Sequence, residues 1–217
     1  MNLKNWVMST KEIVILGYSD AYITMVFDMF KNKKVKFKIL DNFNLFNKEK
    51  IHNENIKYEI ISEFKDGDYF LYGSAKTSTR KKLIETFNID KNKLTTIISK
   101  KSFVSKTVNV GNGCVINPMC SIAGKTIISD NVYINRSVSI GHHTFIGENT
   151  SINPGANISG NVKIGKDCQI GVGSTIIDNV IIGDNVIIGA GSVVTKSIPD
   201  NVVAYGNPCK IVRDNNE

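Results

Sequence analysis

A β-branched residue stands at every sixth position from Ile98 to Val194, and all 17 positions of that register are Ile or Val. A period of six marks a parallel β-helix, in which each repeat forms one flat face of a three-sided prism. Three repeats make one coil, so residues 18 apart stack at the spacing of neighbouring strands, about 4.8 Å. Full burial of one such side chain contributes about 1.5–3 kcal/mol. The series therefore supplies a large core along a thin body. Gly and Asn crowd the turns between repeats, as at Gly111-Asn112-Gly113 and Gly183-Asp184-Asn185, where tight turning or positive φ is needed. Pro199 ends the repeat. The tail from Asp200 to Glu217 is expected to cap the open end, whose strand edges would otherwise be exposed.

Residues 11 to about 90 have a different texture. Glu12–Gly17 (EIVILG), Val35–Leu40 (VKFKIL) and Asp68–Gly73 (DYFLYG) read as strands, and Ala21–Phe30 and Thr79–Phe87 as helices. Strand–helix–strand order with crossovers implies a small parallel sheet, wound right-handed. The expected organisation is an α/β domain over residues 1–95, with a small Rossmann-like parallel sheet. An all-β domain over residues 96–217, the β-helix with its cap, follows it.

With 217 residues, 41 % hydrophobic and 22 % charged, the chain has the composition of a soluble globular protein. No stretch reaches the ~18 uninterrupted apolar residues of a membrane span. The start, MNLKNWVMSTKE, lacks the apolar core of a secretory signal, so a cytoplasmic protein is expected. The net charge of +7 owes much to lysines such as Lys31, Lys33, Lys34, Lys36 and Lys38. Such a balance suits small polyphosphates, including nucleotides and coenzyme A. No nucleic-acid motif or aromatic–basic stripe accompanies it, so no nucleic-acid partner is expected.

Cys114, Cys120 and Cys168 each sit four residues after a repeat Ile or Val, a slot that elsewhere holds Thr, Val, Ala or Ser. The slot is small and faces inward or turns a tight corner, so these cysteines read as packing atoms. Their spacings match no zinc pattern.

Two places carry candidate chemistry. After the first strand, Gly17-Tyr18-Ser19-Asp20 opens a helix, a junction where backbone N–H groups can meet a phosphate. It is not GxGxxG, which argues against NAD. A mononucleotide or nucleotide-sugar site and a plain tight turn both remain open. Asp41 and Asn42, past the second strand, and Gly73, past the third, join Gly17 and Ser19 as candidate substrate contacts, Asp41 as an acceptor for a ribose or base donor. The second place is the pair His142-His143. Of the three histidines, His52 lies in a polar loop, while His142 and His143 fall near a prism corner, facing out. A catalytic zinc site usually needs three protein ligands. No third histidine is near in sequence, so no metal is expected.

The stretch Ile188-Gly-Ala-Gly-Ser-Val-Val-Thr-Lys-Ser-Ile-Pro, with Gly206-Asn-Pro-Cys-Lys210 after it, resembles the coenzyme A end of hexapeptide-repeat acyltransferases. Over residues 12–212 the layout is similar to bacterial nucleotide-sugar N-acetyltransferases of the sialic-acid and bacillosamine type, which acetylate amino sugars for surface glycans. The resemblance implies a left-handed β-helix, a homotrimer with the active site between subunits, and acetyl-CoA as co-substrate. In that family the histidine of I-x-H-[acid]-x-x-I-G is the catalytic base. His142 in Ile140-Gly-His142-His-Thr-Phe-Ile-Gly147 resembles it, and His143, standing where the family has Asp or Glu, joins His142 and Gly160 as a candidate catalytic residue. Glu148 or a residue of another subunit is a candidate replacement for that acid. Asn135 matches an asparagine near the sugar. Gly160 matches a glycine whose N–H faces the acetyl group, and it lies one coil after His142. Coenzyme A would run along Gly160, Gly171, Gly173, Gly189 and Gly191, with Lys196 or Lys210 on its phosphates. For these glycines a plain corner turn is an equal reading. The family loop G-x-x-G-H-[AG] is Gly17-Tyr-Ser-Asp-Ala-Tyr22 here, with Ala21 in place of its histidine.

The implied reaction is acetylation of the amine of a nucleotide-linked amino-deoxy sugar, of the 4-amino-4,6-dideoxy kind. The amine attacks the thioester directly, with His142 as base and backbone N–H at the oxyanion. A sugar O-acetyltransferase with the same base, and a sugar-nucleotide-binding scaffold without catalysis, are the alternatives.

Overall fold

A computed structural model describes residues 12–17, 19–30, 36–40, 58–61 and 69–215. The chain divides into two compact units, Leu3–Thr96 and Ile97–Glu217.

In the first unit, β1 (Glu12–Leu16), β2 (Lys36–Leu40), β3 (Tyr58–Ile61) and β4 (Tyr69–Tyr72) form one sheet in the order β3-β2-β1-β4. Every pairing is parallel. The central strand reads as a continuous apolar run because both its faces are covered: Ile13, Val14, Ile15 and Leu16 are all fully buried. Helix α1 (Asp20–Phe30) turns Tyr22, Ile23, Val26 and Phe27 inward, and the Phe27 ring lies 4.8 Å from that of Phe37 on β2. Helix α2 (Thr77–Phe87) is largely polar and buries only Thr77, Arg80 and Leu83, at spacings of three. It ends at Asn88, whose left-handed φ of 42° lets its N–H reach the Ile84 carbonyl at 2.9 Å. Strand β3 escaped the sequence reading. Its Tyr-Glu-Ile-Ile is too short to separate from its polar surroundings by periodicity.

The second unit is the β-helix. Seventeen two-residue strands, from Ile97–Ile98 to Val193–Val194, stack into three parallel sheets. Partners lie 18 residues apart, as in Ile134↔Ile152↔Ile170 and Ile140↔Ile158↔Ile176. From Ile116 to Val194 every residue of the register is buried, whereas Ile98, Val104 and Val110 are partly buried. Those three belong to the first coil, which has a prism coil on one side only.

A second inward position lies four residues after each register residue. Cys114, Cys120 and Cys168 occupy it, buried like Thr126, Val138, Ala156 and Ser174 at the same slot. None of the four cysteines forms a disulfide. Burial pushes the Cys168 thiol up to about 12, and raises Cys120 and Cys209 as well. A thiol-specific reagent at pH 8 should therefore modify at most Cys209 in the folded protein and all four cysteines after denaturation. Counting modified thiols in both states checks this.

The third position after each register residue is the left-handed corner. From Gly113 to Gly191 all fourteen such residues have φ between 53° and 70°. This explains the run of Asn and Gly along the chain, since both tolerate that region. His143, with φ 56°, is one of these corners.

The tail extends one sheet. Val202–Gly206 pairs in parallel with Ile187–Ile188, and Cys209–Asp214 returns antiparallel along it. Asn215 fastens the end, donating to the Asn185 carbonyl at 2.9 Å and accepting at its own from Asn185 at 3.0 Å. No helix among the described residues is long and apolar enough to cross a membrane.

Candidate functional site

In the α/β unit, Gly17 and Gly73 follow adjacent strands at the place where strand order reverses, between β1 and β4. Ligands of open parallel sheets bind at such switch points. The Gly17 N–H donates to the Leu40 carbonyl at 2.9 Å, and the Gly73 N–H to that of Leu16 at 2.8 Å. A Cβ on Gly73 would collide with the Gly17 carbonyl oxygen, so this close approach demands glycine. Ser19 is half-buried, and its carbonyl accepts the Ile23 N–H at 2.9 Å, starting α1. Asp41 and Asn42 lie outside the described residues, as does His52. Arg80, missed in the sequence, is buried to 3 % exposure and donates from one terminal nitrogen to the Ser74 and Ala75 carbonyls at 3.2 and 2.8 Å. It pins the loop that follows β4. A lone Arg in a polar helix carries no pattern that marks it as buried.

In the β-helix, each prism edge collects the corner residues that follow one sheet. His142, Gly160 and Lys196 stand at the same position after Ile140, Ile158 and Val194, which lie in one paired column. They therefore share an edge, with His143 beside them. Asn135, Gly171, Gly173, Gly189 and Gly191 follow Ile134, Ile170 and Ile188, another column, and share a different edge. Glu148 follows Ile146 on the third. Lys210 is exposed on the returning tail strand, opposite Tyr205.

Around His142 the geometry is tight. Both histidines are exposed. A Cβ on Gly160 would lie 2.8 Å from Cε1 and 2.9 Å from Nε2 of His142, so the imidazole covers this glycine. Gly141 also has to be glycine, because a Cβ there would strike the Ser159–Gly160 backbone. The His142 carbonyl accepts the Asn161 N–H at 2.8 Å, and the His143 N–H donates to the Gly124 carbonyl at 3.1 Å, which ties the pair to the coils on either side. The Gly160 N–H donates to no group among the described residues, which leaves it available to a ligand. The Nδ1 atoms of His142 and His143 are 3.0 Å apart, with the rings edge-to-face at 87°. The group within hydrogen-bond reach of His142 is thus His143. Glu148, expected as a stand-in for the family's acid, is on another edge, because a six-residue step moves a side chain to the next face.

The candidate coenzyme A glycines other than Gly160 divide. Gly173 and Gly191 are left-handed corners, with φ 64° and 66°, that open onto free space. Gly171 and Gly189 lie flat against the next coil, where a Cβ would meet the Gly189–Ala190 backbone and Tyr205 respectively. The coil alone accounts for each of them. Asn135 is 9 % exposed, and its side-chain oxygen accepts the Arg136 N–H at 2.9 Å. Among the described residues no three His, Cys, Asp or Glu side chains gather as a metal site.

Residues 143–177 and 161–196 match the family model "Bacterial transferase hexapeptide (six repeats)". No curated protein matches the chain. Among solved structures, the acetyltransferase domain of PglB from Neisseria gonorrhoeae FA1090 is 20 % identical with a TM-score of 0.79, over 94 % of this chain and 100 % of that one. PerB from Caulobacter crescentus, in complex with CoA and GDP-perosamine, is 23 % identical with a TM-score of 0.77, over 93 % and 97 %. WeeI from Acinetobacter baumannii AYE is 25 % identical with a TM-score of 0.74, over 92 % and 99 %. The likeness spans both units and bears out the resemblance read from the sequence. The chain carries the bacterial transferase hexapeptide repeat on the left-handed β-helix fold of these acyltransferase structures, and a small parallel α/β sheet in its other unit.

Proposed function

We propose that this protein is an acetyl-CoA-dependent N-acetyltransferase that acts on the amine of a nucleotide-linked amino-deoxy sugar, of the 4-amino-4,6-dideoxy kind, with His142 as general base. The observation that carries the reading is the exposed His142 imidazole lying over Gly160 with its Nδ1 held by a neighbour. The ligands of structural relatives support it: CoA with GDP-perosamine in PerB, and acetyl coenzyme A in the PglB domain.

The chemistry asked of the chain is small. The amine nitrogen attacks the thioester carbon, forming the C–N bond as the C–S bond breaks. His142 takes the amine proton, and the thiolate of coenzyme A leaves and picks up a proton. An imidazole is suited to this near neutral pH. The Gly160 N–H is the donor we assign to the developing oxyanion. The nucleotide is assigned to the Gly17–Gly73 switch point, with Ser19, Asp41 and Asn42.

The edge arrangement gives this reading a requirement. One chain carries His142, Gly160 and Lys196 on one edge, and Asn135 with Gly171, Gly173, Gly189 and Gly191 on another. Two prisms side by side bring one edge of each together, so that a groove between copies receives both sets and the coenzyme. The family resemblance implies a homotrimer, so light scattering should find three chains per particle. A monomeric mass at assay concentration would contradict the shared groove.

The deciding experiment is free-thiol release from acetyl-CoA against a panel of UDP-, dTDP- and GDP-linked amino sugars, with the matching hydroxyl sugars as controls. Thiol release with an amino sugar and none with its hydroxyl counterpart is the expected result. Release with hydroxyl sugars alone would make the protein an O-acetyltransferase, and nucleotide binding without release would leave a scaffold.

A further inference from the structure

His143 stands where the resemblance puts a carboxylate, and at a corner where nine of the fourteen residues are Gly or Asn. A side chain with a Cβ is less at ease than glycine in the left-handed region, and the corner could be turned without a ring. Yet the ring has a specific partner. Its Nδ1 is 3.0 Å from Nδ1 of His142, and both rings are backed by backbone hydrogen bonds to the coils on either side.

We propose that His143 is the positioning residue of His142, fixing its ring and selecting its tautomer. The inference rests on the reading of His142 as the base. A hydrogen bond between two Nδ1 atoms needs one proton between them. When His142 donates from Nδ1, its Nε2 keeps the lone pair and can accept from the amine; His143 then receives at Nδ1 and carries its own hydrogen on Nε2. Once His142 has taken the amine proton at Nε2, it can pass that proton to the leaving thiolate, which returns His142 to its starting tautomer with Nδ1 still donating to His143. A carboxylate in the same place would orient His142 but would also favour its charged form. A neutral imidazole orients without that bias.

Few charged groups face the pair. The preceding coil brings Gly124 and Lys125 to this corner, and the following coil brings Gly160 and Asn161. Two coils away the edge carries Lys106 on one side and Asp178 on the other, where Asp178 accepts from Asn179 at 2.6 Å.

The test uses His143→Gly and His143→Asp, since both residues suit the corner. In His143→Gly, kcat should fall about 10- to 100-fold, the usual cost of losing a histidine's orienting partner. KM for the sugar should hold within about twofold, and the melting temperature should not drop. His143→Asp should recover much of kcat and move the acid limb of the pH profile to higher pH, because a carboxylate favours the imidazolium. Independently of activity, imidazole nitrogen NMR should show His142 protonated on Nδ1 in the wild type and shifted to the Nε2–H form in His143→Gly. An unchanged kcat, pH profile and tautomer in His143→Gly overturns the proposal. Full activity in His142→Ala would instead overturn the underlying assignment of the base, which separates the two failures.

Discussion

Replacing His142 with Ala should lower kcat by about 10²–10⁴ while leaving the melting temperature nearly unchanged. The magnitude is the usual contribution of a positioned acid–base group. The sparing of stability follows from place. His142 is exposed, and the ring contacts described for it are with Gly160 and His143, not with the core. Its backbone carbonyl, which holds Asn161, is untouched by the change. The loss should fall in kcat, because a base acts on the transition state more than on the bound substrate. It should also shrink as pH rises and the amine of the sugar loses its proton without help. Steady-state thiol release over a range of pH measures both effects. Near-full activity in this variant at neutral pH would remove His142 from the mechanism.

Gly160→Ala is the more selective probe. It adds one methyl group, and that group would lie 2.8 Å from Cε1 and 2.9 Å from Nε2 of His142. Those distances are too short for carbon, so one side must move. The Gly160 backbone accepts alanine, because its φ is not in the left-handed region. The imidazole is surface-exposed and turns away more easily than the coil deforms. A displacement on the order of 1 Å at a reacting group costs about 10² in rate, so kcat should fall about a hundredfold at nearly constant melting temperature. The same methyl crowds the N–H assigned to the oxyanion, so CoA binding should suffer less than turnover. Titration of CoA by calorimetry, beside the kinetic assay, separates the two. A variant with wild-type kcat would mean that the base does not need its place over Gly160.

Much of the β-helix was legible because its constraint is local and repeats. One slot in six must be β-branched, and a second, four residues later, must be small. Those rules assigned Cys114, Cys120 and Cys168 to packing and set Gly160 one coil from His142 before any coordinates. The corner rule was present as the run of Asn131, Asn149, Asn161, Asn179 and Asn185, all three residues after a register Ile. The same rule carries the corner-turn reading of Gly173 and Gly191, which their sequence leaves level with a coenzyme A contact. The division of the site between edges is also implicit in the period of six, but a linear family motif does not say which edge Asn135 or each glycine occupies. The α/β unit was less readable. Its strand β3 and the buried Arg80 depend on neighbours far away in sequence, and no short-range pattern encodes them.

The period of six has a consequence for change by insertion and deletion. Removing one hexad between Gly160 and Lys196 keeps every later Ile and Val in register, so each still points into the core and the prism still closes. Yet all that follows turns by one face, and Lys196 moves from the edge of His142 to another. Removing three hexads restores the face and brings Lys196 one coil, about 4.8 Å, nearer to His142. Folding counts residues in sixes and the shared edge counts them in eighteens. Lengths that are neutral for the first are therefore mostly ruinous for the second, and a chain of this kind can lengthen without loss of chemistry only by whole coils.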